Sequence, residues 1–173
     1  NNPILTDNLT FVALEDGLSV GFSLNPLEYC IDGSGAWDTL PVGERTPPVN
    51  KGHTIPLRGG IKTVSETDGI GTFSLSCRCA VRGKLTSLII ATNAKPNQGA
   101  RLFRYCTTLV DASELIMPSS INNYYYNSCF SYCTSLVSAP KVLPSTYLSQ
   151  GCYNTFFYGC ENLINASEIA ATN

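Results

Sequence analysis

The sequence predicts a mostly β protein in two parts: a β-sandwich or jelly-roll-like module over residues 1–95, then a short solenoid of stacked repeats over 96–173. Three observations carry that prediction. A 27-residue period runs through the second part, and a period of two runs through the first. Charged residues make up only 14% of the chain, against about a quarter in an ordinary domain, while 14 Gly and 10 Pro punctuate it.

In the first part, Leu18, Val20, Phe22 and Leu24 alternate with Ser19, Gly21 and Ser23, as in a strand with one buried face. Phe73, Leu75, Cys77, Cys79 and Val81 repeat the alternation against Thr72, Ser74, Ser76, Arg78 and Ala80. Shorter strands are expected at 9–14, 27–31, 37–40, 54–57 and 84–90. Turn signals separate them: Asp16-Gly17, Asn25-Pro26, Asp32-Gly33-Ser34-Gly35, Pro47-Pro48, Gly59-Gly60 and Asp68-Gly69. About seven short strands and no helical stretch suit a β-sandwich. Residues 91–101 are polar, contain Pro96 and Gly99, and read as the junction.

In the second part, Cys106, Cys133 and Cys160 stand 27 residues apart, each preceded by a Phe (Phe103, Phe130, Phe157) and followed by a Leu (Leu109, Leu136, Leu163). Ala112, Ala139 and Ala166 continue the register, as do Leu115, Val142 and Ile169. Apolar columns at a fixed period mean units that bury their faces on one another. Leu102, Phe103 and Cys106 suggest one short helical turn per unit, and 109–115 a strand with its exit, the layout of a leucine-rich repeat. About two and a half units are present. Asn173 falls midway through the third, without a polar cap, so the sequence reads as a piece of a longer array; it also starts at Asn1 rather than Met.

The phrases Phe130-Ser131-Tyr132-Cys133-Thr134-Ser135-Leu136 and Phe157-Tyr158-Gly159-Cys160-Glu161-Asn162-Leu163 resemble the repeat unit of BspA-like leucine-rich-repeat surface proteins. The period here is longer than that family's usual unit. The first part more loosely resembles the β-module that precedes such repeats in proteins of gut Bacteroidetes and their phages. The resemblance implies a secreted, cell-surface or virion-exposed protein that binds or adheres and catalyses nothing. In such a setting the sequons Asn8-Leu9-Thr10 and Asn165-Ala166-Ser167 are chance matches.

Composition excludes several classes. A net charge of −2 with no basic run disfavours nucleic acid. The longest apolar run, Leu88-Ile89-Ile90-Ala91, is far short of a membrane span, so no membrane insertion is expected. Cys106, Cys133 and Cys160 occupy one core column and Cys129 another, so the cysteines read as buried free thiols; Cys77 and Cys79 would share one strand face. No cofactor and no metal set are expected, since a Cys-x-Cys pair without nearby His lacks a tetrahedral set.

Catalytic candidates are few. His53 is the single histidine, in a loop, with no visible nucleophile or orienting acid. The acids Glu15, Asp16, Glu28, Asp32, Asp38, Glu44, Glu66 and Asp68 cluster in turns. The run Asp32-Gly33-Ser34-Gly35-Ala36-Trp37 resembles an Asp-box and reads as a hairpin. Tyrosines are the better lead: Tyr124, Tyr125, Tyr126, Tyr147 and Tyr153 form a candidate binding surface, with Tyr105, Tyr132 and Tyr158 nearby. Tyr joins large contact area to a polar tip, and the same rings would also pack well between coils.

The expected function is therefore non-enzymatic extracellular binding or adhesion through the repeat face. Its partners would be a protein or glycan on a host or bacterial surface, and a homo-oligomer is compatible with the low charge. The alternative is a structural protein of a gut phage virion, such as a fibre or capsid decoration, contacting other virion proteins. A glycan-binding accessory module ranks third, because Trp37 is the sole tryptophan available to it.

Overall fold

The computed structural model describes residues 1–62, 71–89 and 96–172. The turn at Asp68-Gly69, the acid Glu66, the centre of the junction at 91–95, Ile90 and Asn173 lie outside the described residues. The protein is mostly β. Strands β1 (Leu9–Ala13), β3 (Leu27–Tyr29), β4 (Asp38–Leu40), β5 (Thr54–Arg58), β7 (Cys79–Lys84) and β8 (Leu109–Ile116) form a six-stranded sheet in the order β4-β3-β5-β1-β7-β8. All neighbours are antiparallel except β7 and β8. A separate ribbon pairs β2 (Val20–Phe22) with β6 (Phe73–Leu75).

β1 lies near the middle of the sheet and its alternation explains why. Leu9, Phe11 and Ala13 point into the core and are almost fully buried. The β2–β6 ribbon covers that face: Phe73 meets Phe11 edge-on at 5.1 Å and Phe22 at 4.9 Å. Arg45 clips the ribbon together, its guanidinium donating to the Ser19 hydroxyl at 2.8 Å, the Ser19 carbonyl at 2.7 Å and the Ser74 hydroxyl at 2.7 Å.

The opposite face of β1 carries a short helix, α1 (Pro3–Asp7), that the sequence reading missed. Its signal was local. Asn2 caps it by accepting from the Ile4 amide at 3.0 Å, and Pro3 stands at a first-turn position. Thr10, though polar, is buried beneath it with its hydroxyl donating to the Leu5 and Asn8 carbonyls. Gly83 on β7 is required here: its φ is +82°, and a Cβ would lie 2.0 Å from the Asn8 carbonyl oxygen.

Three expected strands differ in the structure. Residues 73–81 do not form one strand, because the chain bends at Ser76 and Cys77 between β6 and β7. Cys77 and Cys79 therefore share no strand face; Cys79 is buried and Cys77 is half-exposed. The expected strand at 84–90 is instead a 3₁₀ turn at Leu85–Ser87, whose buried Leu85 and Leu88 are held by the Leu88 amide donating to the Leu85 carbonyl. The expected strand at 18–24 shortens to β2, with Leu18 bridged to Val49.

Residues 96–172 form three coils lying side by side, and their backbone alternates partners. In the first coil the amides of Asn97, Gly99, Arg101, Phe103 and Tyr105 donate to the carbonyls of Asn123, Tyr125, Asn127, Cys129 and Ser131 in the second. The amides of Tyr124, Tyr126, Ser128, Phe130 and Tyr132 donate likewise to the third. Intervening amides turn back within their own coil, as Arg104 does to Arg101 and Cys106 to Phe103. Every fourth residue is left-handed: Asn97, Arg101 and Tyr105, then Tyr124, Ser128 and Tyr132, then Gly151, Thr155 and Gly159. The helical turn expected in each unit is thus absent. A left-handed residue every fourth position stops an α-helix, and the chain runs instead as linked turns.

On the other side of each coil the chain is extended. Asp111, Ser138 and Asn165 bridge in parallel, and β9 (Val142–Leu143) pairs with β10 (Glu168–Ile169). Between the two sides, side chains stack by column. Phe103 and Phe130 are parallel at 4.9 Å, and Phe130 and Phe157 follow at 6.1 Å. The thiols of Cys106, Cys133 and Cys160 donate to the carbonyls of Phe73, Phe103 and Phe130 at 3.3, 3.0 and 3.0 Å. The eight cysteines are free. Burial, and then neighbouring Cys77, push the Cys79 thiol up to about 12, and burial raises Cys106 and Cys133 further, so these are packing groups and not nucleophiles.

β7 acts as the strand before the first coil, since it pairs with β8 and the Cys79 amide donates to the Thr108 carbonyl. One hydrophobic core accordingly runs from Leu9 to Phe156. Two outcomes follow from this packing. The hydroxyl of fully buried Tyr126 has no partner among the described residues, so Tyr126→Phe should raise the urea midpoint, by about 1 kcal/mol or more of unfolding free energy. Gly159 has φ +74° with a Cβ position 2.6 Å from the Tyr132 ring, so Gly159→Ala should lower the thermal midpoint by about 1–2 kcal/mol equivalent.

Candidate binding surface

The turn backbone decides which tyrosines reach solvent. Every left-handed residue is exposed or half-covered, and the residue that follows it is buried in all cases but the last, so exposure runs with period four. Tyr124, left-handed, is 38% exposed and its ring covers Gly151 of the next coil. Tyr125 and Tyr126 follow it inward and are fully buried. Tyr125 donates to Gln98 at 3.3 Å and meets Tyr126 edge-on at 4.7 Å. Tyr153 is half-buried and parallel to Tyr126 at 5.9 Å. Tyr147, on the loop after β9, is 76% exposed.

The candidate surface of Tyr124, Tyr125, Tyr126, Tyr147 and Tyr153 is therefore corrected: Tyr125 and Tyr126 belong to the core and Tyr153 lies largely within it. Three consecutive tyrosines diverge because Tyr124 is left-handed and the two positions after it turn inward.

The exposed aromatic column is a different one. Tyr105 and Tyr132 stack at 4.8 Å with an 8° angle, and Tyr158 meets Tyr132 edge-on at 5.3 Å. Tyr105 is 58% and Tyr158 60% exposed. The Arg104 guanidinium lies over Tyr105 at 4.9 Å and near Tyr132 at 5.9 Å. Its buried Nε has no partner. Beside this column Asn127 Oδ1 accepts from Ser128, Asn154 and Thr155 at 3.3 Å each, and the Ser128 and Thr155 hydroxyls lie 2.7 Å apart. The 27-residue spacing of Tyr105 and Tyr132 was visible in the sequence. Arg104 was not, because it does not repeat.

On the extended side, an open groove of about 700 Å³ runs past Ser113, Glu114, Ser138, Lys141, Asn165 and Glu168. Glu114, Lys141 and Glu168 share one column with alternating sign, and Lys141 pairs with Glu114. The charges of this groove are largely matched internally, so it offers a ligand little net attraction.

In the N-terminal part, Asp32 stands behind His53 as an orienting acid: Oδ2 faces the His53 Nδ1 at 2.6 Å, and Oδ1 accepts from the Thr54 amide at 2.8 Å. Both side chains are about half exposed, and no hydroxyl or thiol among the described residues hydrogen-bonds the other ring nitrogen. The Asp32-to-Trp37 segment forms the β3–β4 hairpin, and the Arg58 guanidinium covers one face of the Trp37 ring at 4.1 Å while pairing with Glu28. No cluster of His, Cys, Asp and Glu among the described residues could hold a metal ion, and no described helix is long and apolar enough to cross a membrane.

Partial burial raises the Asp32 pKa, but the His53 and Thr54 hydrogen bonds outweigh it and hold the carboxyl below its ordinary value. A depressed carboxylate stabilises the fold above its unfolded pKa, near 4, and that stability is lost as pH falls through the lower folded value. Asp32→Asn should therefore reduce stability at pH 6 and shallow the acid-unfolding slope below about pH 4, followed by circular dichroism.

No protein-family model, no curated protein and no solved structure matches this chain.

Proposed function

We propose that this protein is a non-enzymatic extracellular binding or adhesion protein, built as a β-sandwich-like module (1–95) followed by BspA-like leucine-rich repeats (96–173), with the repeats as its contact surface. One observation carries the reading: regularly stacked coils hold an exposed column of Tyr105, Tyr132 and Tyr158 beside Arg104. Tyr and Arg are the residues that dominate recognition surfaces, because they add contact area at little entropic cost and keep a polar end. The small His53–Asp32 pair, exposed and without a nucleophile, gives no comparable support to catalysis.

The second reading is a structural subunit of a virion, in which the exposed aromatic column contacts other virion proteins. Peptide mass spectrometry separates the two. Release of this chain by protease treatment of intact, washed cells supports the surface protein. Recovery at fixed stoichiometry in purified virions, and not from cell surfaces, overturns it in favour of the second reading.

A further inference from the structure

We propose that the outward face of the turns binds an anionic polysaccharide, through Arg101 and Arg104 together with the rings of Tyr105, Tyr132 and Tyr158. The proposal rests on the binding-protein reading and names the ligand class of that same surface.

Charge is the first argument. The chain is net negative, and its described ion pairs employ His53, Arg58, Arg78, Lys84 and Lys141. Arg101 and Arg104 are in none of them. Arg101 is exposed and left-handed, so it projects outward. Arg104 is held against the Tyr105 and Tyr132 rings, and its Nη2 donates to the Tyr105 hydroxyl at 3.4 Å. A guanidinium fixed in place and in no ion pair is prepared for a carboxylate or sulfate at little ordering cost.

Periodicity is the second argument. Tyr105 and Tyr132 are equivalent residues of two coils and stack at 4.8 Å, and Tyr158 of the third coil continues the face edge-on, so each coil contributes one tyrosine ring along the stack. The hydroxyl and amide cluster around Asn127 follows the same axis. A row of like groups matches a polymer of like units better than a peptide with one specific side chain at each position. The exposed Tyr105 and Tyr158 rings offer surfaces for the apolar faces of sugars along such a polymer. The groove on the extended side lacks both features, because Glu114 neutralises Lys141.

The test is calorimetric titration of the intact chain with dextran sulfate, polygalacturonate, neutral dextran and poly-glutamate. At least one of the two anionic saccharides should bind, whichever anion is preferred, with affinity falling as salt rises, while neutral dextran does not. Arg101→Gln, Arg104→Gln and Tyr158→Ala should each weaken binding by roughly tenfold, and Lys51→Gln on the N-terminal part should leave it unchanged. Thermal melts identify any variant that fails to fold; Arg101 and Tyr158 are exposed, so those two decide the matter if Arg104→Gln unfolds. Equal binding of neutral dextran, binding of neither anionic saccharide, unchanged affinity in folded Arg101 and Tyr158 variants, or an equal loss with Lys51→Gln overturns the proposal. Tighter binding of poly-glutamate also overturns it and assigns an acidic protein partner. None of these results bears on where the chain is found, so failure here is distinct from failure of the surface-protein reading.

Discussion

The 27-residue register follows from backbone pairing. Alternate amides of one coil donate to carbonyls 26 positions later, and the amides between them close turns inside the coil. A coil with one residue more or fewer would move its amides off their acceptors and turn its apolar columns away from their neighbours. That constraint accounts for the strict spacing of Cys106, Cys133 and Cys160, whose thiols contact carbonyls of the preceding turn. It also accounts for left-handed residues as awkward as Thr155, a β-branched residue at φ 49°, since the repeating geometry must be met at each turn.

The same pairing joins the two parts of the chain. β7 belongs to the antiparallel sheet through β1 and to the parallel stack through β8. Phe73 stands at the same junction, edge-on to Phe11 and stacked on Phe103 at 5.7 Å, and its carbonyl accepts the Cys106 thiol. The first coil therefore meets a surface already shaped like a coil. Its apolar face is covered without a separate cap, which a solenoid otherwise requires.

Surface chemistry is a consequence of this geometry. Linked turns expose residues with period four, so aromatic residues that are consecutive in sequence diverge: Tyr124 faces solvent while Tyr125 and Tyr126 fill the core. Residues 27 apart converge, which is how Tyr105 and Tyr132 come to stack and how Arg104 finds two rings to lie against. The Tyr132 ring lies against Gly159 of the next coil, where no side chain could stand.

Much of this was legible in the sequence, because burial leaves a periodic trace. The 27-residue columns marked the coils, short runs between turn signals marked β1, β3, β4 and β5, and the turn residues around Asp32 marked the β3–β4 hairpin. Asn2 and Pro3 even carried a helix signal, though a helix of five residues leaves no amphipathic period to notice. Tertiary structure alone decided the rest. The bend at Ser76 and Cys77, the turn path of the coils and the pairing of β7 with β8 depend on which backbone groups lie opposite one another, and side-chain hydropathy does not record that. The aromatic surface shows the division most clearly. Sequence located the tyrosines and their repeat, but their direction was set by left-handed residues every fourth position, a property of the backbone path held by neighbouring coils.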